Sequence, residues 1–130
     1  MSNKQIDLKV VVVDDADFHR NQVISILEDN KITVAGQAST AEEGLALSAT
    51  TEANVFIIDL VMPERSGLEL SKILADKSSG LYIIMMSSVN IESIIIESIS
   101  SGSIDFLPKP FSAADLLRSL KKIHQELQRE

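Results

Sequence analysis

The sequence predicts an α/β domain of (βα)5 type, with five parallel strands in a doubly wound sheet and helices on both faces, giving three layers. Two observations carry this. Five short apolar, largely β-branched runs recur with helix-length amphipathic stretches between them. The runs also lack the in–out alternation of a half-exposed sheet, as befits strands buried on both faces. Right-handed crossovers then follow from strand twist.

The first run is Lys9–Val13 (KVVVV) and the second Thr33–Ala38 (TVAGQA). After it, Ser39-Thr40-Ala41-Glu42 reads as a capping box, with Leu45 and Ala49 at helical spacing behind it. The third run, Val55–Ile58 (VFII), leads into Asp59 and an abrupt Met62-Pro63. Ser66-Gly67-Leu68-Glu69 forms a second box, ahead of Leu70, Ile73 and Leu74. Tyr82–Met86 (YIIMM) and Ile104–Leu107 (IDFL) are the last two runs. Gly80 and Gly102 stand where helices should stop before each of them. Ser112-Ala113-Ala114-Asp115, a weaker box, opens a closing helix over Ser112–Glu130 that packs through Leu116, Leu117, Leu120 and Ile123.

A chain of 130 residues is one domain, with enough length for a core that needs no covalent staples. With 12 basic against 19 acidic residues the net charge is −7, and polyanion binding normally needs a basic stripe. The nearest approach to one, Arg118–Lys122 (RSLKK), reads as a solvated helix face, so no direct nucleic-acid contact is expected. The absence of cysteine excludes disulfides, thiolate metal sites and a cysteine nucleophile. No stretch reaches membrane-spanning length and the start has no export pattern, so membrane insertion is not expected and the cytoplasm is the expected compartment. His19 is isolated and His124 lies in the closing helix, neither at metal-like spacing, while Met85 and Met86 read as core filler.

In a parallel sheet every strand ends on one edge, and ligands bind there. The first run ends in Asp14-Asp15, the third in Asp59, the fourth in Ser87-Ser88, and the fifth leads to Lys109-Pro110. Singly, Asp14 or Asp15 could cap the first helix, Ser87 the helix after it, and Lys109 could be a loop lysine. Jointly they bring three carboxylates, a hydroxyl and an ammonium to one place. Three acidic side chains repel one another unless a hard divalent cation joins them, and all-oxygen ligation favours Mg²⁺. One carboxylate is then free to attack phosphorus, with Lys109 and Ser87 at hand to steady the phosphoryl oxygens.

Four pieces in register resemble the receiver domain of response regulators, the CheY-like superfamily: VVVDDADFHR at 11–20, VFIIDLVMPERSGLEL at 55–70, IIMMSS at 83–88 and DFLPKPF at 105–111. The resemblance covers nearly the whole chain and implies the flavodoxin-like strand order 2-1-3-4-5. It implies Asp59 as the phosphoacceptor, Asp15 as a direct Mg²⁺ ligand, Asp14 as one acting through a bound water, and the Asp59 carboxylate and Val61 backbone carbonyl as further ligands. It implies that Lys109, before a usually cis Pro110, pairs with the phosphoryl group. Ser87 stands at the switch hydroxyl and Phe106 at the aromatic switch, without the phenol oxygen often found there. Ser88 replaces a small alanine, and Val61 and Val89 put two apolar side chains beside the site.

The resemblance further implies a two-component partner set: a histidine kinase or histidine phosphotransfer protein as donor or acceptor, and a downstream protein target. A single receiver domain over residues 1–130 with no effector domain is expected, so output passes through partner binding, as in chemotaxis-type regulators, or through a phosphorelay. The segment Asn90–Gly102 (NIESIIIESISSG) borders the expected output face. Its isoleucines spread over about 200°, wider than the roughly 100° stripe of a surface helix. Ile91, Ile94 and Ile95 are the candidates to face water, as a partner surface or in a phosphorylation-linked homodimer. The expected protein is an acceptor and not a turnover enzyme. An aspartyl-phosphate hydrolase would want a second acid where Val61 stands, and a flavodoxin-like cofactor binder would need a phosphate-cradling loop where DDADFHR stands.

Overall fold

The computed structural model describes residues 7–77, 80–88, 96 and 103–129. Five parallel strands form one sheet in the order β2-β1-β3-β4-β5: β1 (Lys9–Val13), β2 (Thr33–Ala38), β3 (Val55–Asp59), β4 (Tyr82–Ser87) and β5 (Ser103–Pro108). Among the described residues the helices are α1 (Asp17–Asp29), α2 (Ala41–Thr50), α3 (Gly67–Lys77) and α4 (Ala113–Gln128).

Alternate residues of β1, β3 and β4 feed two separate cores, which is why these runs show no polar alternation; the edge strand β2 is mostly half-buried. Val11, Val13, Phe56, Ile58, Ile83 and Met85 pack toward Ala41 of α2 and Leu70 and Leu74 of α3. Val10, Val12, Val55, Ile57, Ile84 and Met86 pack toward Val23 and Leu27 of α1 and Leu116, Leu120 and Ile123 of α4. Burying one aliphatic side chain of this size contributes about 1.5–3 kcal/mol, so the two layers supply the main drive to fold.

The caps adjust the expected boundaries. At α2 the cap is Thr40, whose hydroxyl accepts from Glu43 N–H at 3.1 Å, while Ser39 N–H and Oγ both donate to the Glu43 carboxylate. The box is thus shifted one residue from Ser39-Glu42: Thr40 has the extended geometry a cap needs and its hydroxyl takes the Glu43 N–H. The weaker box proves complete: Ser112 Oγ accepts from Asp115 N–H and Asp115 accepts from Ser112 N–H, each at 3.1 Å. At α3, Ser66 Oγ accepts from Glu69 N–H. Ala49 is exposed, while Leu45 is half-buried against the core layer and Ala41 and Gly44 lie deepest. Gly44 lets α2 sit close, since a Cβ there would lie 3.0 Å from Val13 Cγ2 and 3.2 Å from Leu70 Cδ2. Gly80, at φ +86°, takes the left-handed turn expected after α3.

Register aligns the strand ends. Val13 pairs with Ile58, Asp59 with Met86, and Ser87 with Pro108, so the residues that follow emerge at one level.

Candidate functional site

At that edge the ligand oxygens of Asp14, Asp15 and Asp59 lie within 4.8 Å of one another. They differ sharply in surroundings. Asp14 is fully buried, Asp59 is 6% exposed, and Asp15 is exposed. Neither Asp14 nor Asp15 caps α1: the cap residue is Ala16, with no side-chain cap bond. Asp14 turns inward, and its Oδ1 accepts from Ala16 N–H at 2.9 Å.

Lys109 reaches across from the end of β5. Its Nζ lies 3.2 Å from Asp14 Oδ2 and 3.3 Å from Asp59 Oδ2, so one ammonium bridges two carboxylates. The Lys109-Pro110 peptide is cis. Among the described residues Asp59 has one further donor, Val61 N–H, at 3.2 Å from Oδ1. Val61 itself is 55% exposed beside the Asp59 carboxylate.

The two buried carboxylates are driven in opposite directions. Burial raises the Asp59 pKa, and the nearby Asp14 charge adds to this, while Lys109 and the Val61 N–H oppose it; the net shift is upward. Burial also pushes Asp14 up, but the Ala16 N–H, His19 and Lys109 outweigh it and the net shift is downward. Asp59 therefore combines the fewer donors with the more basic oxygens.

Ser87 ends β4, wholly buried, and its carbonyl accepts from Lys109 N–H at 2.8 Å. Ser88 beside it is exposed. Phe106 is also inside, 9% exposed, in the core layer that holds Met85 and Phe56. Asp14, Asp15, Asp59 and Lys109 thus come together, with Ser87 at the neighbouring strand end. Ile91, Ile94, Ile95 and Val89 lie outside the described residues; Ile96, in the same segment, is helical and 57% exposed.

Three contributors were not singled out from sequence. His19, set aside as a ligand, is not in the carboxylate cluster but places Nδ1 2.5 Å from Asp14 Oδ2. Gly67 opens α3 pressed against the end of β3: a Cβ there would fall 2.1 Å from the Asp59 carbonyl oxygen. A glycine just inside a helix start, eight positions past the acidic strand end, was the available signal. Asp105 accepts from Ser119 Oγ at 2.5 Å, from Lys122 Nζ at 3.2 Å and from Phe106 N–H, tying β5 to α4 next to Phe106. A space of about 340 Å³ opens there between β5 and α4, bordered by Asp105, Phe106, Arg118 and Lys122.

Residues 10–121 match the family model for the response regulator receiver domain. The chain is 33% identical over 116 residues to the chemotaxis protein CheY of Listeria monocytogenes, covering 88% of this chain and 97% of that protein. It is 36% identical over 124 residues to a protein-glutamate methylesterase/protein-glutamine glutaminase of Idiomarina loihiensis, covering 93% of this chain but 31% of that longer protein. Among solved structures, a CheY-like receiver domain protein from Methanospirillum hungatei superposes with a TM-score of 0.88 at 26% identity, over 95% of this chain and 98% of that one.

Proposed function

The chain belongs to the response regulator receiver family, and on that premise we propose that it takes a phosphoryl group onto Asp59 from a phosphohistidine donor, with Mg²⁺, and changes its partner binding in response. The observation that carries this is the asymmetry of the three carboxylates. Asp14 is saturated with donors and held anionic, Asp15 is solvated, and Asp59 alone is buried, sparsely bonded and kept basic at the end of its strand.

The donor set fits a hard cation: three carboxylates close enough to share one ion, and no sulfur or imidazole among them. Asp14, Asp15, Asp59 and the Val61 carbonyl would hold it. Bound there, Mg²⁺ would neutralise the cluster and draw charge from the phosphoryl oxygens. The chain's own residues do the rest. An Asp59 carboxylate oxygen bonds to phosphorus as the donor's P–N bond breaks, the electron pair leaving with the donor imidazole. Lys109, shared between Asp14 and Asp59, can swing its ammonium to the new phosphoryl oxygens without crossing the site. Ser87 lies one strand away, and its main-chain bond to Lys109 links the hydroxyl's strand to that of the ammonium. Phe106 and Asp105 stand behind them, so a shift at Ser87 is felt where β5 meets α4.

The donor must approach over the same edge. Beside it lies a groove of about 400 Å³ without a formal charge other than what His19 can carry, lined by Phe18, Gln22, Ile26 and Phe111. Phe18 is 77% exposed. This groove adjoins the site through His19 and Phe111, and its apolar floor fits the helix that carries a donor histidine. Among the described residues no helix is long and apolar enough to cross a membrane. The reading is tested with a small phosphodonor and Mg²⁺: the parent should gain one phosphoryl group by intact mass and Asp59→Asn none. Equal labelling of the variant would remove Asp59 from the role.

A further inference from the structure

We propose that His19 is a positioning residue for Asp14, and through that carboxylate sets the affinity of this chain for a divalent cation. The inference rests on reading the three carboxylates as the cation site. Asp14 is fully buried, so each of its oxygens must be satisfied by the protein. Oδ1 takes the Ala16 N–H at 2.9 Å. Oδ2 takes two partners, Lys109 Nζ at 3.2 Å and His19 Nδ1 at 2.5 Å. A carboxylate oxygen can only accept, so Nδ1 carries the proton of this bond.

The two partners are not equivalent. Lys109 brings a full charge, divides itself between Asp14 and Asp59, and is the group that phosphoryl transfer needs elsewhere. Its charge also opposes a cation entering the cluster. The imidazole N–H can satisfy Oδ2 from a neutral ring, adding no net charge, and it serves Asp14 alone. With His19 in place Lys109 can leave without exposing a bare buried oxygen. Without it, Oδ2 depends on Lys109, which is drawn toward Asp14 and held against the incoming cation.

The ring is built to stay where it is. It projects from the first turn of α1 with its side chain 20% exposed, and stands edge-on to Phe111, centroids 5.6 Å apart at 90°. Phe111 follows Lys109-Pro110, so the imidazole is clamped between the strand end that bears Asp14 and the loop that bears Lys109. Outer partners that orient metal-binding carboxylates commonly change metal affinity by about 10–100-fold when removed.

The test is a Mg²⁺ titration by calorimetry or amide NMR shifts on the parent, His19→Leu and His19→Asn. Leucine keeps bulk against Phe111 but has no donor; asparagine places an N–H near the position of Nδ1. His19→Leu should bind Mg²⁺ about tenfold more weakly, and His19→Asn within about threefold of the parent. In the metal-free parent, the Nδ1 proton should also appear as a slowly exchanging, downfield imidazole resonance. A leucine variant that binds like the parent overturns the inference alone. Equal weakening in both variants also overturns it, because ring packing and not the hydrogen bond would then be responsible. A parent that binds no Mg²⁺ overturns it together with the reading of the carboxylate cluster.

Discussion

Gly67→Ala is a single methyl aimed at the main chain of Asp59. The added Cβ would lie 2.1 Å from the Asp59 carbonyl oxygen, 2.8 Å from its carbonyl carbon and 2.8 Å from Ile58 Cγ2. Nearly 1 Å of separation must be found, and the obstacle is backbone. That backbone is pinned on both sides: Gly67 N–H donates to the Leu60 carbonyl at 2.9 Å, and Leu60 N–H to the Met86 carbonyl at 2.8 Å. Overpacking costs about 1–3 kcal/mol, and a main-chain clash belongs at the upper end. Alanine returns up to about 1 kcal/mol through the reduced freedom of the unfolded chain. The net loss is about 2 kcal/mol, or a fall in Tm of roughly 6–10 °C for a domain of this size. The assay is thermal unfolding in chelated buffer, with Gly44→Ala alongside. The Gly44 Cβ meets only side-chain atoms, the nearest at 3.0 Å, so that variant should lose less than about 1 kcal/mol. Gly67→Ala should also bind Mg²⁺ more weakly, because relief of the clash moves the Asp59 main chain. A Gly67→Ala melting point at or above the parent's, with unchanged cation affinity, would refute the reasoning.

Other expectations follow from the same geometry. Because burial raises the Asp59 pKa above its unfolded value, ionising Asp59 costs the folded state stability, a cost that appears as pH rises from the unfolded carboxylate range and is complete above the folded pKa. Asp59→Asn in chelated buffer should therefore melt higher than the parent at neutral pH, with the gain fading as pH falls to about 4 and below; a variant no more stable at neutral pH contradicts this. Phosphoryl loss should be slow, since the Val61 side chain, 55% exposed beside Asp59, cannot hold an attacking water, and the sequence puts a second valine, Val89, two residues past Ser87. Each polar contact restored by Val61→Asn with Val89→Glu should speed decay about fivefold, read after donor removal, and equal decay in parent and variant would end this idea. Phe18→Ala should slow transfer from a phosphohistidine protein by about tenfold while leaving labelling by a small donor unchanged; equal loss with both donors would place Phe18 in the chemistry and not in docking.

The sheet was legible because each strand reports its own environment. Beyond Lys9 and Tyr82, half-buried at their N-terminal ends, KVVVV and YIIMM carry no polar residue, and the structure buries the rest of both runs on both faces; the bounds Lys9–Val13 and Thr33–Ala38 match residue for residue. The convergence of Asp14, Asp15, Asp59 and Lys109 was legible too, since parallel strands all end on one edge. What sequence did not give is what depends on depth and on rotamer. Asp14 and Asp15 are adjacent and chemically identical, yet one is sealed in and the other solvated, a difference set by how the chain turns after Val13. His19 carries no spacing signal, because its partner lies five residues back, across the strand-to-helix turn. Ala49 was misplaced because helical periodicity locates a stripe without fixing its phase; Gly44, with no side chain to count, marks the true contact line of α2.

The central claim is that one of three clustered carboxylates, Asp59, forms the acyl phosphate. Borohydride reduces an acyl phosphate to an alcohol, so the reacted aspartate is recorded as homoserine. The decisive measurement is to phosphorylate the parent from a phosphohistidine donor with Mg²⁺, reduce it, and sequence the peptides by mass spectrometry. The account predicts homoserine at position 59 and aspartate at 14 and 15. Homoserine at Asp14 or Asp15, or none anywhere in a protein that has taken up phosphate, would contradict it.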